Sequence, residues 1–176
     1  RRIRGGWLIL VLGSLAGDVA GGAGAAAPGA AAAPGPVCGA DSTAAKEARA
    51  VATGIIAADN ARDIERVLRY YAADALLLPP GEEPVAGRQA IRPRYERLFT
   101  DFDPQIEARV DEVCAAERLA MVRGHNGGRL VPRGAGEVRR LDDVYLMLLR
   151  LEPDGVWRIS HLMWHRASQP APSAAG

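Results

Sequence analysis

The spacing of apolar residues predicts three helices in the first half of the chain. The first begins at Asp41–Thr43, where all three residues are good N-caps. The second begins at Asn60, which has Asp63 three residues later as a partner in a capping box. The third either starts near Ala90 or is kinked at Pro93, because proline removes a helical hydrogen bond. The core-facing residues of these helices are predicted to be Ala48, Val51, Ala52, Ile55, Ile56, Ile64, Val67, Leu68, Tyr71, Ile91, Tyr95, Leu98 and Phe99.

Strand patterns fill the rest of the chain, because the apolar period falls from 3.6 to about 2 after Pro104. Helices followed by long strands are typical of an α+β fold. We expect a strongly curved antiparallel sheet wrapped around three helices, a cone with a cavity suited to a ligand. The predicted strands are 75–78, 85–87, 106–110, 119–125, 142–151 and 156–166, with residues 126–140 as a long polar hairpin tip.

The N-terminal segment has the pattern of a secretory signal. Three arginines precede the apolar run Trp7–Leu15, and small residues with Gly and Pro follow. The run is shorter than the roughly 20 residues that span a bilayer, and the alternative is an uncleaved anchor helix. We therefore expect residues 1–37 to be a signal peptide and linker, 38–168 an exported periplasmic or secreted domain, and 169–176 a disordered tail.

The two cysteines, Cys38 and Cys114, have two interpretations. An exported chain meets an oxidising compartment, which favours a disulfide. The alternative is a pair of buried free thiols. Because no histidine lies near them at ligand spacing, no metal site is predicted.

Composition and charge exclude several function classes. The formal net charge is +1, and removal of residues 1–37 leaves about −1, so the domain has no electrostatic footprint for nucleic acid. The chain has no phosphate-binding loop and no dinucleotide fingerprint, so no cofactor is expected. After signal cleavage no stable membrane insertion is expected either.

Residues 44–166 resemble the nuclear-transport-factor-2-like superfamily, close to its SnoaL-like and ketosteroid-isomerase-like members. The residues that carry the likeness are YYAADA at Tyr70–Ala75, the following PPG turn, GRQAI at Gly87–Ile91 and WRISHLMWH at Trp157–His165. The resemblance implies a cystatin-like α+β roll with a pocket. It also implies a possible homodimer through the outer face of the sheet, with Leu146, Leu148, Leu162 and Trp164 as candidates.

The catalytic groups of the steroid isomerases are only partly matched. Pro79 stands where the resemblance would place the general-base Asp, and Ile55 stands where it would place the oxyanion-binding Tyr. Asp142 or Asp143 matches the protonated Asp. Isomerisation by that set of residues is therefore not expected.

Candidate chemistry comes instead from the last strands. Strand alternation places His161 and Met163 on one face with Trp157 and Ile159. It sends Asp142 and Asp143 to opposite faces, so only one enters the pocket. We take His161 as a candidate base and Asp143 as its proton donor or orienting partner. The predicted ligand-binding residues are Tyr71, Tyr95, Arg123, His125, Asp142, Tyr145, His161 and Met163.

Three functions remain open at this stage. The first is an exported domain that binds a small, largely apolar molecule. The second is a cofactor-free isomerase, cyclase or dehydratase that uses His161 and an Asp. The third is a dimeric interaction module.

Overall fold

The computed structural model describes residues 37–39 and 41–167. The expected signal segment up to residue 36 and the expected tail from residue 168 lie outside the described residues. The elements in chain order are β1 Val37–Cys38, α1 Thr43–Asn60, α2 Ile64–Arg69, β2 Tyr71–Leu78, β3 Val85–Ala86, α3 Arg88–Asp101, β4 Phe102–Ala115, β5 Leu119–Pro132, β6 Arg139–Leu151 and β7 Trp157–Arg166. This α+β arrangement, with three helices against one curved and unclosed sheet, confirms the predicted fold class.

The strands form one sheet in the order β1-β4-β5-β6-β7-β2-β3. The pairs from β4 to β7 are antiparallel, whereas β2 runs parallel to β7. The expectation of a wholly antiparallel sheet is therefore wrong at one pair. The hairpin tip is also shorter than predicted, because β5 continues to Pro132 and β6 begins at Arg139.

Helix α1 packs its apolar stripe against the sheet. Its N-cap is Ser42, whose side chain accepts a hydrogen bond from the Ala45 amide at 3.1 Å. Asn60 does not cap α2, contrary to prediction. Its side-chain amide exchanges two hydrogen bonds with the backbone of Ile106 at 2.8 and 2.9 Å, which fixes the C-terminal end of α1 to β4. Asp63 caps α2 instead and accepts from the Arg66 amide.

Helix α3 starts earlier than predicted, at Arg88, after Gly87 with a φ of 87°. Glycine adopts this left-handed backbone without a Cβ clash. Pro93 lies inside the helix on its exposed side. Ile91, Tyr95 and Phe99 bury the opposite side, so α3 closes one side of the core.

A disulfide joins Cys38 and Cys114, which lie opposite each other in the β1–β4 pair. The disulfide prediction is therefore confirmed. The bond fastens the short edge strand β1 to β4 across 76 positions of sequence. Within the described residues, none of the helices combines the length and apolarity needed to cross a membrane.

The disulfide predicts a large change in stability. Replacing both cysteines, Cys38→Ser with Cys114→Ser, should lower the free energy of unfolding by about 2–4 kcal/mol, since the crosslink restricts the unfolded chain. Urea unfolding with and without a reductant measures this. The reductant should destabilise the original chain to the level of the double variant and leave the variant unchanged. Equal stability of the two proteins without reductant would contradict the prediction.

Candidate functional site

A cavity of about 530 Å³ lies between α1, α3 and the inner face of the sheet. Its walls are mainly apolar and aromatic, and it is open to solvent at one side. The apolar and aromatic lining residues are Ile55, Ile56, Leu77, Tyr95, Leu98, Phe102, Ile106, Leu130, Leu141, Tyr145, Met147, Leu162 and Trp164.

Asp59 on α1 is the buried carboxyl of this cavity, with only 6% of the residue exposed. It lies one helical turn after Ile55 and Ile56, on the stripe that faces the sheet. Its Oδ1 has no hydrogen-bond partner among the described residues. Burial raises the pKa of Asp59 well above its ordinary value, because desolvation disfavours the charged form. The structure therefore holds a carboxyl group that is neutral over a wider pH range than an exposed Asp.

Asn126 and Tyr145 supply two further polar atoms without partners. They come from the neighbouring strands β5 and β6, and both line the cavity. Asn126 Oδ1 and the Tyr145 hydroxyl are buried and unbonded in the described structure. Burial raises the pKa of Tyr145 to about 12, and the negative charge of Asp111 adds to this shift. Three elements thus each contribute to the cavity wall a residue with a buried polar atom that has no partner among the described residues.

Gly124 makes room for the Tyr145 ring. A Cβ on Gly124 would lie 2.5 Å from the Tyr145 hydroxyl oxygen, closer than real Cβ contacts allow. Gly124 pairs with Tyr145 across the β5–β6 ladder. The glycine therefore allows the phenol to lie across β5, where any larger residue would displace it.

Tyr95 lines the cavity, and Tyr71 lies behind it. Their hydroxyl oxygens are 2.9 Å apart in a buried hydrogen bond. Burial raises the pKa of both phenols, and the nearby Asp59 raises each further. Both groups stay neutral at physiological pH, and Tyr71 acts on the cavity only through Tyr95.

Asp143 lines the cavity from β6, whereas its neighbour Asp142 is exposed and is not part of the lining. The two carboxylates lie on opposite faces of the strand, as alternation predicts. Burial raises the pKa of the half-buried Asp143, and the positive charge of Arg166 opposes the shift.

The open side of the cavity is rich in arginine. Arg94 forms a two-pronged ion pair with Glu82 of the turn after β2, and its guanidinium lies 5.8 Å from the Trp164 ring centroid. The Arg139 guanidinium lies over the Phe102 ring, 4.5 Å from its centroid. Arg97 on α3 completes the set.

His161 and Met163 do not line this cavity, so their predicted place in its wall is wrong. A β-bulge at Ser160 is the reason, because Leu149 pairs with Ile159 and Leu148 with His161. One extra residue reverses the alternation. His161 and Met163 therefore lie exposed on the outer face, while Leu162 and Trp164 turn into the cavity.

Arg123 and His125 also lie on the outer face, where alternation on β5 puts them opposite to Val122, Gly124 and Asn126. His125 Nδ1 is 2.7 Å from Asp111 Oδ2, and Arg123 forms ion pairs with Asp111 and Glu112. Neither residue is among those lining the cavity. Six of the eight predicted ligand-binding residues are therefore outside the lining: Tyr71 lies behind Tyr95, and Arg123, His125, Asp142, His161 and Met163 lie away from the cavity.

The residues predicted to form a homodimer interface also lie on two different faces of the sheet. Leu148 is 40% exposed on the outer face, and Leu146 shares that face. Leu162 and Trp164 face the cavity and are unavailable to a partner on the outer face. The homodimer itself stays a prediction.

Sequence reasoning missed Asp59 and Asn126. Asp59 carries a visible signal, since a charged residue four positions after Ile55 interrupts a buried helical stripe. Asn126 continues the alternation of Val122 and Gly124, but it was assigned to a hairpin tip. In both cases a polar residue at a core-facing position marked the site.

The described residues contain one cluster with metal-ligand spacing, Cys38, Glu112 and Cys114. Its two sulfurs form the disulfide, and a disulfide does not offer the thiolates that bind metal.

Known proteins of similar structure share the fold. A ketosteroid isomerase-like protein from Erwinia carotovora atroseptica matches with a TM-score of 0.65 and 24% identity, covering 70% of this chain and 96% of that one. A proposed dehydratase of the nuclear transport factor 2-like family from Streptomyces avermitilis matches with a TM-score of 0.60 and 17% identity, covering 70% and 96%. A cystatin-like domain of unknown function from Nostoc punctiforme gives a TM-score of 0.59 at 22% identity, covering 73% and 80%.

At these identities the likeness shows the fold alone. A search of curated proteins gave no match. The sequence profile of the SnoaL-like domain, however, matches residues 52–159, more than half of the chain. That match includes Asp59, Asn126, Asp143 and Tyr145, and of the lining residues only Leu162 and Trp164 lie beyond it. The chain is therefore a member of the SnoaL-like domain family.

Proposed function

We propose that the cavity binds a small, largely apolar molecule that carries a polar group. The observation that supports this most directly is that three residues lining one largely apolar cavity, Asp59, Asn126 and Tyr145, each carry a buried polar atom without a hydrogen-bond partner among the described residues. Leaving a buried polar group without a partner costs about 1–3 kcal/mol. A ligand that supplies the missing hydrogen bonds recovers that free energy on binding.

The size and composition of the cavity support the same proposal. Its volume of about 530 Å³ lies within the range of roughly 300–1,000 Å³ that is usual for small-molecule sites. The rings of Tyr95, Tyr145 and Trp164 offer flat contact area for an aromatic or alicyclic body. The polar atoms then fix the orientation of the ligand and do not supply most of its affinity.

We also propose that the domain functions after export. The Cys38–Cys114 disulfide supports this, because such bonds persist in oxidising compartments. The arginine-rich and apolar start of the chain supports the same proposal from sequence.

A matched pair of probes tests the polar recognition. 2-Naphthol and 2-methylnaphthalene differ in one hydroxyl group, and we expect naphthol to bind about 3- to 10-fold more tightly, the effect of one hydrogen bond. Tyr145→Phe, which removes only the phenolic oxygen, should reduce that preference and leave the affinity for methylnaphthalene unchanged. Fluorescence titration measures all four constants.

His161→Gln is the control for this experiment, because His161 lies on the outer face. It should bind both probes as the original chain does. Absence of binding by either probe, or a loss of binding in the His161 variant with none in Tyr145→Phe, would overturn the proposed site.

A second candidate function is cofactor-free acid–base catalysis in the same cavity, now with Asp59 and Asp143 as the carboxyl pair. The observation that favours it is that burial raises the pKa of both groups inside one space. Raised carboxyl pKa values bring proton transfer closer to the working pH. Similarity to a proposed dehydratase and to a ketosteroid isomerase-like protein supports the same reaction class. Asp59 takes the place of His161, the base expected from sequence, because His161 does not line the cavity.

The raised pKa of Asp59 predicts an unusual pH dependence of stability. The folded state keeps the Asp59 proton at pH values where the unfolded chain has released it, so Asp59 destabilises the fold as pH rises above about 4. Asp59→Asn removes this titration. The variant should therefore gain free energy of unfolding relative to the original chain between pH 4 and 7, and the difference should shrink towards pH 4.

Urea unfolding across pH 3.5–8 measures the difference. If the stability of Asp59→Asn runs parallel to that of the original chain at all pH values, the fold does not raise the pKa of Asp59 and its role as a neutral acid fails.

A further inference from the structure

The open side of the cavity contains three arginines in different electrostatic situations. Arg94 is neutralised by Glu82 through the two-pronged ion pair. Arg97 forms no ion pair among the described residues, but its charge adds to the hydrogen bond from Arg94 in lowering the pKa of Glu82. Asp101 also follows Arg97 on α3 at the i, i+4 spacing. Arg139 forms no ion pair with any residue that the structure describes. Arg139 is therefore the cation of the cavity rim with the least internal compensation.

Arg139 is also fixed in position by a contact that leaves its side-chain N–H groups unoccupied by any described residue. Its guanidinium lies over the Phe102 ring at 4.5 Å from the centroid. Stacking on an aromatic face leaves the edge N–H groups of a guanidinium available to a planar acceptor such as a carboxylate. Phe102 itself lines the cavity, so the stack lies on the boundary between the apolar interior and solvent.

A second depression adjoins the cavity. It shares Asp101, Phe102 and Arg139 with the cavity and continues along the hairpin residues 132–138. Arg139 thus lies where the two depressions meet. A ligand whose apolar body fills the cavity would present its outer end to Arg139.

We propose that the ligand is amphipathic, with an apolar body in the cavity and a carboxylate that pairs with Arg139 at the rim. This inference rests on the proposed binding function and adds the ligand class and the residue that selects it. The carboxylates Asp101 and Asp143 also line the cavity, so the pairing with Arg139 has to outweigh their repulsion of the ligand carboxylate.

The test uses two probes of the same shape, 3-(2-naphthyl)propionate and its amide, which differ in charge. At pH 7.5 and low salt, the original chain should bind the carboxylate about 5- to 10-fold more tightly than the amide. The preference should decrease as salt is raised, because the pair is near solvent. Calorimetric or fluorescence titration gives the constants.

Two substitutions of Arg139 test whether this residue causes the preference for the carboxylate, and one substitution of Arg129 is the control. Arg139→Gln should abolish the preference for the carboxylate while the affinity for the amide stays within about twofold. Arg139→Lys should keep part of the preference, because it retains the charge. Arg129→Gln removes one positive charge from the outer face, where Arg129 bonds Gln105, and should change neither constant.

The outcomes separate this inference from the proposed function. Equal binding of the two probes, or an equal loss for both in Arg139→Gln, overturns the role of Arg139 in anion recognition and leaves the binding function standing. An effect of Arg129→Gln as large as that of Arg139→Gln overturns it too, since net charge alone would then explain the preference. If the chain binds neither probe, both the inference and the proposed function fail.

Discussion

The packing of α1 into the curved inner face of the sheet is the contact on which the rest of the structure depends. Its stripe of small and branched residues lies close to β4, β5 and β7, and the two hydrogen bonds of Asn60 fix its end to β4. A helix held at one end of a curved sheet covers only part of it. The uncovered part, closed on its far side by α3, is the cavity.

The same geometry explains the polarity of the cavity. Asp59 continues the buried stripe of α1 and also lines the cavity. Water and ligand are the available partners for such a group, since no described residue bonds its Oδ1. The Tyr71–Tyr95 pair adds neutral hydroxyls without adding charge. The interior is thus an apolar space with few polar atoms, and its charged groups lie mostly at the rim.

Much of the fold was predictable because periodicity reports burial directly. The apolar stripe of α1 and the alternation of Ile106, Ala108 and Val110 in β4 indicate a helix and a strand, and alternation alone places Asp142 and Asp143 on opposite faces. Asn60 was misread because two caps three residues apart compete, and only the tertiary bond to Ile106 decides between them.

The candidate site was harder to predict, for a physical reason. Alternation assigns faces only while the ladder is regular, and β7 contains an irregularity at Ser160 that no propensity reveals. The prediction followed Trp157 and Ile159 along the strand to His161, where the pattern had already reversed. Asp59 interrupts the apolar stripe of α1 in the sequence, but a charged residue near the end of a helix usually indicates that the buried stripe has ended.

The bulge at Ser160 determines which side chains of β7 this fold presents to the cavity. With a regular strand, the same sequence would put two imidazoles and a thioether against the cavity, whereas the bulge puts a leucine and an indole there. A single inserted or deleted residue near this position exchanges the two sets without changing any side chain. The chemical groups on this wall of the cavity therefore depend on the number of residues in the strand as much as on the identity of those residues. Two chains of this fold whose last strands are nearly identical in sequence can therefore turn opposite faces of that strand toward the cavity.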